Sequence, residues 1–95
     1  MGKRSVWKFL LRMEDGETVV EMPQRAQVLK VDSLGCLGNA TWLWALVDPE
    51  APNEERVFVT VGTGHPFPDG NFKFVGTFFM PTEMDPLVFH TFEKE

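Results

Sequence analysis

The feature that most limits how this chain can fold is the spacing of its apolar residues. They alternate or cluster in short runs closed by turn-forming residues, and no stretch carries a sustained helical period. Seven runs read as strands: Val6–Arg12, Thr18–Met22, Ala26–Val31, Thr41–Asp48, Arg56–Val61, Phe72–Phe79 and Leu87–Phe92. Seven short strands with short connections predict an all-β fold, a small antiparallel sandwich or a partly open barrel. A chain of 95 residues has room for one core. Residues 1–95 therefore read as a single β domain, with 1–4 and 93–95 as flexible tails.

The alternation also assigns faces. Trp7, Phe9 and Leu11 share one side of the first run, and Lys8 and Arg12 the other. Asp15-Gly16 favours a tight hairpin into the second run, which stops at Pro23 because proline cannot donate to a ladder. In the third run Ala26, Val28 and Lys30 oppose Gln27, Leu29 and Val31, and the glycine-containing stretch 32–39 reads as a turn, with room for a bulge. The fourth run is apolar on both sides, Trp42, Trp44 and Leu46 against Leu43, Ala45 and Val47. That pattern predicts a central strand covered on both faces.

Charge narrows the partners. Nine bases against fourteen acids leave a net charge of −5, which argues against nucleic acid, whose binding rests on neutralising phosphates. The excess is uneven: Lys3, Arg4, Lys8 and Arg12 all precede the first acid, Glu14. This basic start reads as a solvated strand face, with contact to an acidic surface of a second subunit as the alternative. The apolar run Val6–Leu11 is short and contains Lys8, whereas a signal-peptide core needs about 7–15 apolar residues and a membrane span about 20. Position 6 is Val6, where an N-myristoylation motif requires Ser or Thr. A soluble protein of the cytoplasm is expected. The lone Cys36 has no thiol partner and reads as inert.

One loop has functional character. Gly62-Thr63-Gly64-His65 could present successive amides and two polar side chains to an anion, with Arg56 or Lys73 supplying charge. No helix follows, so this is neither a phosphate-binding P-loop nor a dinucleotide fingerprint. The ordinary reading is a wide turn. His65 and His90 are the only histidines, and as a pair they could act as acid and base. His90-Thr91 starts a His-x-Thr-like element only in part, His65-Pro66-Phe67 lacks the hydroxyl, and no nucleophile accompanies them. A satisfied, half-buried His90 is the simpler expectation. No metal set and no cofactor is expected, because His65, His90 and Cys36 are scattered singly. Three tryptophans and nine phenylalanines could stack bases, but the strands from Thr41 onward offer only Arg56 and Lys73 beside them. Core packing and a subunit interface are the expected uses.

The landmarks Val6-Trp7-Lys8-Phe9, Glu21-Met22-Pro23, Leu43-Trp44-Ala45-Leu46-Val47-Asp48, Gly62-Thr63-Gly64-His65-Pro66, Gly76-Thr77-Phe78 and Leu87-Val88-Phe89-His90-x-Phe92 run nearly the length of the chain. Together they resemble a set of short proteins of unknown function encoded by bacteriophages and prophages. The chain departs from that pattern at Asn39-Ala40-Thr41-Trp42 and at Met80–Asp85. The resemblance implies a phage accessory protein in the host cell cytoplasm and supplies no catalytic or binding residues. The expected function is non-enzymatic: a homo-oligomeric domain that binds a host component, plausible in countering host defence, or that sequesters a small anionic, nucleotide-like ligand. The alternatives are a virion structural or assembly role and, below it, a small hydrolase or phosphodiesterase working through His65 and His90.

Overall fold

In the computed structural model, residues 3–12, 17–33 and 40–95 are described. They form seven strands: β1 (Ser5–Arg12), β2 (Glu17–Pro23), β3 (Gln27–Ser33), β4 (Ala40–Val47), β5 (Asn53–Gly62), β6 (Phe72–Met80) and β7 (Leu87–Lys94). Every strand pairing is antiparallel. Two sheets result, one ordered β1-β4-β3 and the other β2-β5-β7-β6. The architecture is a sandwich, and neither sheet closes into a barrel. Asp32 and Ser33, expected to open the 32–39 turn, belong to β3; the rest of that turn, Cys36 included, and the turn at Asp15-Gly16 lie outside the described residues, as do Met1 and Gly2.

The two inner faces meet through Leu11, Val20, Met22, Val31, Leu43, Ala45, Val47, Phe58 and Phe78. Alternation explains this set: cross-strand partners Leu11–Thr41, Phe9–Leu43 and Trp7–Ala45 point the same way, toward the second sheet. The core is closed best where β3 meets β6. Gly76 sits so near β3 that a Cβ there would stand 2.9 Å from Val31 Cγ1, and Ser33 Oγ donates to the Phe79 carbonyl at 3.0 Å. On the opposite side β1 and β2 touch little. The radius of gyration, 14.0 Å, exceeds the roughly 12 Å of a compact chain this long.

Four local expectations change. β1 and β2 are not a hairpin: β1 pairs with β4 and β2 with β5, so that Leu11 and Val20 enter the core from opposite sheets. The third strand carries its bulge at Leu29, between Val28 and Lys30. The extra residue flips the phase, so Leu29 and Lys30 both face solvent while Val31 turns into the core. β4 is central as expected, but only its Thr41, Leu43, Ala45 and Val47 side is buried. The Trp42, Trp44 and Leu46 side lies half-exposed, with no strand among the described residues layered over it. Finally, 93–94 are strand rather than tail. Glu93 is ion-paired inside the sandwich, and the Glu95 amide donates to the Asn71 carbonyl at 2.9 Å.

Candidate functional site

The loop that the sequence offers to a ligand is built as a self-satisfied turn. His65 N–H donates to the Gly62 carbonyl at 3.0 Å, and Thr63 N–H to the Val88 carbonyl at 3.0 Å. Two of the amides available to an anion are thereby used. Gly64 holds φ +89°, the left-handed value this turn requires at its third residue. The His65 ring lies over Gly62, where a Cβ would meet it at 3.2 Å. The wider loop is held by apolar contacts. Phe67 sits edge-on to Phe72 and Phe92, with ring centroids 5.2 and 4.8 Å away, and so ties the 63–71 connection down onto the outer face of the four-stranded sheet.

Arg56 and Lys73 are brought together, but away from this loop. Arg56 lies six residues before Gly62 on β5, about 20 Å at the rise of a strand. Its Nε and Nη2 donate to the two Glu93 carboxylate oxygens at 2.6 and 2.8 Å, and Nη1 donates to the Ala26 carbonyl at 2.6 Å. Both side chains of the pair are only 17 % and 16 % exposed. The hydrogen bond to Glu93 outweighs the desolvation of the guanidinium and holds the Arg56 pKa above its ordinary value. Lys73 joins Arg56 and Glu93 in lining a cleft of about 260 Å³. This is a bridge between strand ends, with most of its donors already engaged.

The two histidines do not converge. His65 packs over Gly62 on the Phe89 side of the sheet, while His90, next in sequence to Phe89, projects from the other side. No acid–base pair spans a common space. His90 is half-buried, as the simpler reading expected. Its Nε2 lies 2.8 Å from Thr63 Oγ1 and its Nδ1 2.9 Å from Thr77 Oγ1. Thr63 Oγ1 also donates to the Val88 carbonyl at 3.3 Å. The tautomer that satisfies all three contacts together has the ring proton on Nε2, donating to Thr63, and Nδ1 accepting from Thr77. No group of three metal-ligating side chains occurs among the described residues.

Aromatic and cationic side chains gather on the outer face of β1-β4-β3. Register places its residues in cross-strand rows: Lys8–Trp44–Lys30, Leu10–Trp42–Asp32 and Val6–Leu46–Gln27. Trp44 thus lies between two lysines, and Lys8 Nζ reaches diagonally to 4.3 Å from the Trp42 ring centroid. Arg12 extends the β1 edge of the same face, and Lys30 pairs with Asp32 at 3.3 Å. Three cations and one acid therefore surround two tryptophans and three aliphatic residues, in a chain whose total charge is −5. Strand-by-strand reading missed this because Lys8 and Trp42 are thirty-four positions apart. Alternation put each on a definite face, but only the pairing of β1 with β4 makes those faces one.

A domain family model matches residues 2–95, essentially the whole of this sandwich, and its description is a domain of unknown function (DUF7352). The chain belongs to the DUF7352 family. No curated protein and no solved structure matches it. The DUF7352 match spans both sheets, so the aromatic–cationic face and the 62–65 turn fall within the family's own domain. None of the helices that would be needed to cross a membrane as an apolar span is present among the described residues.

Proposed function

We propose that this DUF7352 protein is a non-enzymatic binding module that docks on an acidic, partly apolar protein surface through the outer face of β1-β4-β3. The observation that carries the reading is the Lys8–Trp44–Lys30 row, with Lys8 stacked over Trp42. Tryptophan and cationic side chains on an otherwise unlayered face are the residue types that dominate binding energy at protein interfaces. Desolvated cation–ring contacts strengthen when a partner excludes water. Charge complementarity selects the partner: this face carries a net positive charge while the molecule as a whole is acidic. A long polyanion would be attracted by the face and repelled by the rest, and half of the face is apolar, two tryptophans and three aliphatic residues. Both points favour a protein over a nucleic acid. The resemblance to phage-encoded proteins supports a host protein as that partner, and interference with host defence as a purpose.

Sequestration of a small anion at Gly62–His65 is the weaker reading, since the turn's own hydrogen bonds use two of its amides. The test compares three immobilised proteins in host extract: wild type, Trp44→Ala and His65→Ala. A partner retained by wild type and by His65→Ala, and lost with Trp44→Ala, is the expected result. Retention by all three refutes the face. Quenching of tryptophan emission by a single-stranded oligonucleotide, at concentrations where an acidic protein surface has no effect, would reassign the partner to nucleic acid.

A further inference from the structure

The side of the sandwich left open by β1 and β2 carries a second, independent feature. Both strands are sheet edges, β1 of the three-stranded sheet and β2 of the four-stranded one. An edge strand exposes unpaired backbone N–H and C=O groups along its free side. Here the side chains on the two edges are matched. On the outer face β1 presents Lys8, Leu10 and Arg12, and β2 presents Glu17, Val19 and Glu21, all six exposed. One edge reads cation–apolar–cation, and the other acid–apolar–acid, with the same spacing of two residues between members.

Within the chain the two edges touch only at one end among the described residues, where Thr18 Oγ1 donates to the Arg12 carbonyl at 3.2 Å, and none of the three charge or apolar matches is made there. β1 ladders with β4 and β2 with β5. Leu10 and Val19 remain 42 % and 56 % exposed. Glu17 is held by Lys94 at 3.1 Å, while Glu21 stands directly across from Glu55 on β5. A like-charge pair opposed on one face is destabilising unless a cation joins it. The inner side of the opening is also unfinished: Trp7, which register places with Ala45 on the core face, is 39 % exposed.

We propose that a second copy of this chain completes these edges, β1 of one protomer pairing antiparallel with β2 of the other. The register that sets Lys8 against Glu21, Leu10 against Val19 and Arg12 against Glu17 satisfies all three positions at once. It is the register a hairpin across residues 13–16 would have had, transferred from within a chain to between chains. The same charges exclude the competing contacts. Two β1 edges would oppose lysine and arginine, and two β2 edges would oppose glutamates, so only the mixed pairing is permitted. The added strand would also bring backbone over Trp7 and place Lys8 beside the Glu21–Glu55 pair.

The contact is small, one strand on each side, and a dimer in which it forms twice is still below the usual area of a permanent interface. Association is therefore expected to be concentration-dependent, and sedimentation equilibrium up to sub-millimolar protein is the measurement. Four full-length proteins decide it: wild type, the β1 reversal Lys8→Glu with Arg12→Glu, the β2 reversal Glu17→Lys with Glu21→Lys, and the chain carrying all four changes. Wild type is expected to self-associate, each single-edge reversal to dissociate at least about tenfold more readily, and an equimolar mixture of the two reversals to associate as wild type does. The fourfold variant is expected to self-associate again. Recovery on mixing cannot arise from a misfolded variant. A wild type that stays monomeric overturns the proposal. So does a mixture, or a folded fourfold variant, that fails to recover association. A lowered melting temperature in the single-edge reversals with oligomeric state unchanged would place the complementarity within one chain and overturn it equally. Because Trp44 is untouched throughout, failure here leaves the docking face of the preceding section to its own test.

Discussion

Substituting Gly76 by alanine probes how tightly β6 is drawn onto β3. The added Cβ would stand 2.9 Å from Val31 Cγ1, where a relaxed carbon–carbon contact is about 3.5–4.0 Å. The edge strands must then separate by roughly 0.6–1.1 Å, or Val31 must leave its place in a core where it is buried. Overpacking of this size costs about 1–3 kcal/mol. The sign is diagnostic, because Gly76 is not among the positive-φ glycines. At an open strand position with ordinary φ the same change would stabilise by about 0.5–1 kcal/mol. Val31→Ala supplies the control. It removes two buried methyl groups at about 0.8 kcal/mol each, with a cavity term in addition. In the double variant the new methyl of residue 76 occupies part of that cavity, so the two costs should fall short of their sum by about 1–2 kcal/mol. Urea unfolding followed by tryptophan emission measures all four corners of the cycle. Each kcal/mol should also appear as about 4–8 °C in Tm for a domain of this size. A Gly76→Ala protein as stable as wild type, or strictly additive costs in the double variant, would refute the packing argument.

Three further outcomes follow from the same structure. Arg56→Met leaves Glu93 without its bidentate partner in a mostly buried position, and is expected to cost about 3 kcal/mol in urea unfolding. The Arg56 pKa is raised in the fold, so the pair's contribution is fully present below the ordinary arginine value and is lost only as pH rises through the raised one. The stability difference between wild type and Arg56→Met should accordingly be the same at neutral pH and at about pH 10. Thr41 is fully buried on β4 and its hydroxyl has no partner among the described residues, so Thr41→Val should stabilise by about 1 kcal/mol. Thr91→Val, which strips Thr60 of a 2.8 Å hydrogen bond, should cost about as much. For His90, nitrogen NMR near neutral pH should find the proton on Nε2, and Thr77→Val should weaken that preference by removing the donor to Nδ1.

The strands, their order and their two-sided patterning were legible in the sequence because they depend on local rules. A period of two, with turn residues between runs, marks a strand wherever it occurs. The seven runs accordingly match β1 to β7 to within three residues at most ends. The simpler reading of His90 was also accessible, since Val88 and Phe92 fix its face. Other features were invisible for a common reason: they are properties of pairs far apart in the chain. Asp15-Gly16 speaks for a β1–β2 hairpin, yet burial of Leu11 and Val20 against both sheets is worth more than one local turn, and the strands part. The bulge at Leu29 depends on how β3 must bend to reach both β4 and β6. Arg56 has the composition of a ligand residue, and only the position of β7 commits it to Glu93.

By itself, then, the sequence determined an all-β chain, seven strands, and a cationic first strand ahead of an acidic body. Tertiary structure alone decided which faces became one surface. Strand pairing is non-local, so no pattern within a run can say that Lys8 will lie beside Trp44 or that β1 and β2 will both end as open edges. Those two facts create the aromatic–cationic face and the pair of oppositely charged edges.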